Sequence, residues 1–281
     1  MNKGILISLI SVWLTCLLSN PLNAEPVSIT YNKLKLNGNM MPSADKTKPF
    51  FIIVHGTWAT HNMELPTTLQ ELLFESDYGS LAITLSMNLS DRKTNYACNK
   101  PLKVGHDDNI NEIGLWLDYL AKLGYRNIHA IGHSRGGSQL ALFNQRNDST
   151  IKFQYLIAPM TFEYDATLLA KLNSKADDEI ITDRKVLYCD KVTTNVGVLK
   201  NLFGTKPEKN TPSILSKSKM PTVVFLGSED PLTKSFKSEE NTSKLVNRLS
   251  YQEILIDGAG HFFRDLYSDE IVEHIVEFIE R

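Results

Sequence analysis

The sequence predicts an α/β protein: a mostly parallel central sheet with helices on both faces. Three observations predict it. Short apolar runs alternate with stretches of helical spacing, the pattern of a parallel sheet covered on both sides. Gly132-His133-Ser134-Arg135-Gly136, with Gly137 behind, joins one apolar run to one helical stretch. The chain has 281 residues, and α/β domains reach about 250 residues around a single core.

The N-terminus reads as a leader. Lys3 supplies the positive end, an apolar run covers 4–18, Ser19-Asn20-Pro21 breaks it, and Ala24 offers a small residue for cleavage. A bilayer span needs about 20 residues, so 1–24 is expected to be a signal peptide and the mature chain exported, periplasmic or secreted. An uncleaved anchor is the alternative. The domain is expected over 25–281. Residues 27–36 give one strand, and the sheet edge before 50 is expected to be reduced.

The remaining elements follow from spacing. Residues 50–54, Phe-Phe-Ile-Ile-Val, are a buried strand ending at His55-Gly56. Residues 65–74 have helical spacing with Pro66 in the first turn. Residues 81–85 are the next strand. Ile110, Ile113, Leu117, Leu120 and Leu123 make one helical face, with Asp107-Asp108 at its positive end and Gly124 as its stop. Strands follow at 127–131, 153–158, 222–226 and 251–256. The last helix turns Ile271, Val272, Ile275, Phe278 and Ile279 inward. Residues 160–219 do not alternate. They are long, polar and charged, and loops of that length without structure are uncommon, so short helices packed as a lid are expected after the sixth strand. Leu168, Leu169, Leu172, Val198, Leu199, Leu202 and Phe203 are its expected anchors.

The glycine-flanked serine carries the chemistry. A serine on a tight strand-to-helix turn is pushed out at the carboxyl edge of the sheet, and side chains two residues either side would collide there. Gly132 and Gly136 occupy those two places. A serine hydroxyl is a weak nucleophile and needs a base, which needs a group to orient it. Asp230 follows the strand at 222–226, and His261 follows the strand at 251–256 in Asp257-Gly258-Ala259-Gly260-His261. Ser134, Asp230 and His261 are therefore the expected catalytic residues. Glu229 and Asp257 remain alternative acids, and Asp230 has the competing role of capping the next turn. His133 is expected on the opposite side of its strand, His129 in the strand body, and His61 and His106 in solvated loops, with a place lining the cleft as their alternative. An oxyanion needs two backbone donors. The Arg135 amide is one. The other is expected from His55-Gly56-Thr57-Trp58, with Thr57 first and Trp58 second. His55 is expected to shape that loop. Trp58 reads equally as pocket wall or as packing.

Other classes have little support. The formal net charge of −2 offers no basic face for nucleic acid. There is no H-E-x-x-H, no tight Cys/His cluster and no phosphate-binding glycine loop, so no metal and no cofactor is expected. Of three cysteines, Cys98 and Cys189 remain after the leader. In an oxidising compartment they are expected to pair, the alternative being two buried thiols.

His55-Gly56-Thr57-Trp58, Gly132 to Gly137, Gly227-Ser228-Glu229-Asp230 and Gly260-His261 come in the order oxyanion loop, nucleophile, acid, base. With these motifs the chain from about residue 50 onward resembles the α/β-hydrolase superfamily, in its serine-nucleophile, esterase- or lipase-like branch. Asp91-Arg92-Lys93 with Tyr96, Cys98 and His106 resembles a group of exported bacterial hydrolases. The resemblance implies a parallel sheet, a lid after strand six and acyl-transfer chemistry. The expected activity is cleavage of a small-molecule carboxylic ester through an acyl-serine. The alternatives are an inactive binding protein on this fold, or an acyltransferase using the same triad.

Overall fold

The structure, a computed structural model, describes residues 24–145, 150–161, 164–204, 206, 210–237 and 250–281. The expected leader, Ala24 apart, lies outside the described residues.

The sheet opens with β1 (Glu25–Tyr31) and β2 (Leu34–Met41), paired antiparallel. The single strand expected over 27–36 is thus a hairpin, and the sheet edge is complete. Asn32 and Lys33, at φ 46° and 67°, form its two-residue turn, the geometry that matches strand twist. Asn-Lys lacks the glycine that usually marks such a turn, so the alternation reads straight through it.

Next come β3 (Phe50–Val54), α1 (Glu64–Glu75), β4 (Gly79–Thr84), α2 (Ile110–Lys122), β5 (Ile128–His133), α3 (Arg135–Asn144) and β6 (Ile151–Ile157). An insertion then holds α4 (Ala166–Leu172), β7 (Ile180–Val186), β8 (Cys189–Asn195), α5 (Val196–Phe203) and α6 (Thr211–Leu215). The chain closes with β9 (Thr222–Gly227), α7 (Pro231–Phe236), β10 (Tyr251–Ile256) and α8 (Leu266–Glu280). The central sheet runs β1-β2-β4-β3-β5-β6-β9-β10. From β4 to β10 every neighbouring pair is parallel. The loops after β3, β5, β9 and β10 therefore leave from one edge.

The pleat explains why the central strands read as continuous apolar runs. Phe50, Ile52 and Val54 face a core shared with Ile113, Trp116 and Leu120 of α2. Phe51 and Ile53 face the other core, with Leu65, Leu69 and Leu73 of α1 and Ile271 and Ile275 of α8. Successive residues point to opposite faces, and helices cover both, so no position can be polar without cost.

The insertion has a core of its own. Leu172, Val192, Val196, Leu199 and Leu202 pack against Trp58, Met87, Tyr96, Leu102 and Val104 of the main domain. Of the expected anchors, Leu172, Val198, Leu199 and Leu202 are buried, and Leu168 and Phe203 pack at the margin. Short helices are present, but an antiparallel hairpin, β7 with β8, lies between them. Most of its positions are at least partly exposed, which is why its sequence is charged and does not read as strand.

Cys98 and Cys189 form a disulfide, with Cα atoms 5.6 Å apart and 91 residues between them. It ties the start of β8 to the loop before α2. Closing so long a loop stabilises a fold by about 2–4 kcal/mol. Urea unfolding of Cys98→Ser/Cys189→Ser is expected to show a lower midpoint, with an unfolding free energy reduced by that amount relative to wild type. Equal midpoints would mean that the tie adds nothing.

Candidate active site

The turn after β5 is strained as its residues require. Ser134 sits at φ 52°, ψ −119°, a region that costs a non-glycine residue about 1–3 kcal/mol. The surroundings enforce it. A Cβ on Gly132 would lie 2.7 Å from the Gly137 Cα, and one on Gly136 would lie 2.4 Å from the His55 carbonyl oxygen. The Ser134 amide donates to the Ile157 carbonyl (2.9 Å), and its own carbonyl accepts from Ser138 and Met160. The residue is pinned on both sides.

Two distant loops bring partners to it. His261 follows β10 through Gly258, whose φ of 75° favours glycine. Gly260 has no such role, since a Cβ there meets nothing within 4 Å. The Ser134 hydroxyl lies 3.0 Å from His261 Nε2, placed to donate to it. His261 Nδ1 lies 2.7 Å from Asp230 Oδ2 and donates. Asp230 also caps α7, where its Oδ1 accepts from the Leu232 amide at 2.9 Å. Capping and orienting, set against each other on sequence grounds, use different oxygens of one carboxylate. Of the alternative acids, Asp257 accepts from the Ser228 hydroxyl and Glu229 is exposed.

Burial alone would raise the Asp230 carboxyl. The hydrogen bonds from His261 and the Leu232 amide outweigh it, and the group is held below the ordinary carboxylate range. A depressed folded value means that ionised Asp230 contributes stability that is complete above its unfolded value, about 3.9. That stability is lost as the pH falls through the lower folded value. Urea midpoints measured from pH 7 to pH 3 should show wild type and Asp230→Asn converging on the acid side. A constant difference would contradict this.

Three of the other histidines, His133, His61 and His106, depart from expectation. His133 does not turn away from the site. Its Nε2 donates to the His261 backbone carbonyl at 2.8 Å, and the two rings stand 5.0 Å apart. The chain leaves strand geometry at Ser134, so alternation no longer assigns a side there. Burial and the nearby His261 push His133 down to about 4, so it is neutral at pH 7. His61 and His106 are buried, not solvated. His61 bonds Thr84, and the His106 amide donates to Asn201 of the insertion. Contacts of that range leave no mark on local sequence. His129 is buried in β5. His55 shapes its loop: Nδ1 donates to the Gly56 carbonyl at 2.7 Å, and Nε2 accepts from the Leu85 amide at 3.1 Å.

Ser134, His133 and His261 line a cleft of about 970 Å³, with Thr57, Met160 and Phe262. Leu187 and Tyr188, at the tip of the β7–β8 hairpin, close one side. Trp58 is not among the cleft residues. It lies within the insertion core with the Tyr188 ring 4.7 Å away, so packing is its role and Tyr188 is the wall. No sequence signal marks Tyr188, because its place depends on how the insertion folds back. Among the described residues, no helix is long and apolar enough to cross a membrane.

No protein-family profile and no curated protein matches the chain. Solved structures do. Est1E from Butyrivibrio proteoclasticus, with ferulic acid bound, matches at a TM-score of 0.65 and 16% identity, over 91% of this chain and 100% of that one. The alpha/beta hydrolase GrgF from Penicillium sp. sh18 matches at 0.67 and 12%, over 91% and 97%. Dienelactone hydrolase from Anabaena variabilis matches at 0.55 and 16%, over 91% and 95%. The chain has the α/β-hydrolase fold, with the hairpin-bearing insertion after its sixth strand.

Proposed function

We propose that this protein is an exported serine hydrolase that cleaves carboxylic esters through an acyl-serine. The observation that carries the reading is the hydrogen-bonded series from the Ser134 hydroxyl through His261 to Asp230, with Ser134 and His261 lining the cleft. Asp230 fixes the His261 tautomer with Nδ1 protonated, which leaves Nε2 as the base. As Ser134 Oγ attacks the ester carbonyl, its proton passes to Nε2. The Thr57 and Arg135 amides receive the developing oxyanion, aided by the positive N-terminal end of α3. One such donor is worth about 3 kcal/mol in the barrier. Collapse of the adduct expels the alcohol, which takes the proton from Nε2. Water repeats the sequence on the acyl-serine and releases the acid.

Two observations support a bulky substrate. The cleft lies within the range of small-molecule sites, and Tyr188 and Phe262 offer aromatic walls. The ferulic acid held by Est1E is an aromatic acid of suitable kind. Export is supported by the apolar run behind Lys3 and by the disulfide, since disulfides persist in oxidising compartments. A series of p-nitrophenyl esters from acetate to dodecanoate, with methanol added in parallel, tests the reading. Hydrolysis with free acid as the main product is expected. A folded protein inert toward the whole series would overturn the proposal, and methyl ester as the main product would make it a transferase.

A further inference from the structure

We propose that Arg92 is a positioning residue for the oxyanion hole, acting through His55 to aim the Thr57 amide. The inference rests on the proposed function, because it assigns a role to the donor that reading places at Thr57.

Arg92 is buried in the loop after β4, and its hydrogen-bond acceptors are backbone carbonyls and one imidazole. Nε and Nη2 donate to the Leu85 carbonyl at 3.0 and 2.6 Å. Nη2 also donates to the Ala59 carbonyl at 2.7 Å. Nη1 donates to the Trp58 carbonyl at 3.3 Å and the Thr94 carbonyl at 3.1 Å. Nη2, whose two N–H groups serve Leu85 and Ala59, also shares one of them with His55 Nε2 at 3.3 Å. The guanidinium therefore grips the loop two residues before Thr57 and again one and two residues after it.

The link through His55 sets a direction. Its Nε2 has one lone pair, shared between the Leu85 amide and Arg92, so the ring proton is on Nδ1, and Nδ1 donates to the Gly56 carbonyl. The Ala59 amide donates to the same carbonyl at 3.3 Å. The Gly56 carbonyl and the Thr57 N–H belong to one peptide unit, and in a trans peptide they point in opposite directions. Holding the carbonyl on the His55 side turns the Thr57 N–H the other way. Thr57 lines the cleft that contains Ser134.

Two costs show that something must hold this loop. Trp58 has φ 56°, a strained value for a non-glycine residue. A guanidinium is also expensive to bury without a carboxylate partner. The nearby Glu112 is occupied by Ser86 and Asn109. Burial lowers Arg92 to about 10, so it stays charged at neutral pH. A planar fork can serve several carbonyls at once, and a lysine cannot.

The test is Arg92→Lys in the full chain, with p-nitrophenyl acetate as substrate. Active sites are counted by fluorophosphonate labelling, and folding is followed by near-UV circular dichroism. The expected result is a KM within about twofold of wild type and a kcat per labelled site about 100-fold lower, the scale of one misdirected donor. A role confined to stability would lower the folded fraction and leave kcat per labelled site unchanged, which would overturn the proposal. If Arg92→Lys does not fold, His55→Gln is read in the same way: kcat per site down tenfold or more supports the relay, and kcat within twofold sinks it. A wild type that neither hydrolyses the ester nor labels would instead refute the proposed function.

Discussion

His261→Gln is expected to lower kcat for p-nitrophenyl acetate by about 10⁵-fold or more, with KM little changed. The geometry makes the loss nearly complete. Nε2 lies 3.0 Å from Ser134 Oγ, and no other described side chain is bonded to that hydroxyl. His133, the next imidazole, is committed to the His261 backbone carbonyl. Glutamine keeps the approximate length and polarity but cannot accept and return a proton. Residues that act as one unit are strongly non-additive. Ser134→Ala/His261→Gln is therefore expected to be no slower than either single variant, which steady-state kinetics on the three proteins checks. A single variant within tenfold of wild type would mean that the base is another residue.

Gly136→Ala is expected to damage both stability and rate, although helix propensity favours alanine by about 1 kcal/mol. The added Cβ would lie 2.4 Å from the His55 carbonyl oxygen and 2.5 Å from that of Val54. Both are backbone atoms at the end of β3, so no side-chain rotation relieves the contact. Helix α3 must move off the sheet, at a cost of about 1–3 kcal/mol that exceeds the propensity gain. The displaced segments carry Ser134 on one side and the Thr57 loop on the other. A shift of about 1 Å at reacting groups costs on the order of 10²-fold in rate. Gly260→Ala is the control: with open space around it, stability should stay within about 0.5 kcal/mol. Urea midpoints and kcat for the two variants separate the cases.

Much of this is legible in the sequence because local chemistry forces it. The strained turn demands small residues at Gly132 and Gly136 wherever they occur. Parallel strands buried on both faces are mostly apolar, so β3 and β9 read clearly, and β5 does so despite His129. Asp230 and His261 announce themselves by standing just past strand ends. What stays hidden depends on contacts between distant segments. The β1–β2 turn uses Asn32-Lys33 without glycine. The β7–β8 hairpin is mostly exposed and so carries charge where a strand signal would be apolar. His106 is covered by Asn201, 95 residues away. Arg92 stands in a recognisable Asp-Arg-Lys cluster, but only the fold brings it under Trp58 and Ala59. Tyr188 reaches the cleft because the insertion folds back and the Cys98–Cys189 disulfide holds the adjoining residue.

Mass spectrometry after fluorophosphonate treatment tests the catalytic series directly, because the reagent phosphonylates a serine fastest where a neighbouring base removes its proton. One adduct per chain is predicted, on the peptide containing residue 134, and it should disappear when residue 261 becomes glutamine. A folded wild type without the adduct, or an adduct retained at full rate in that variant, would contradict the account.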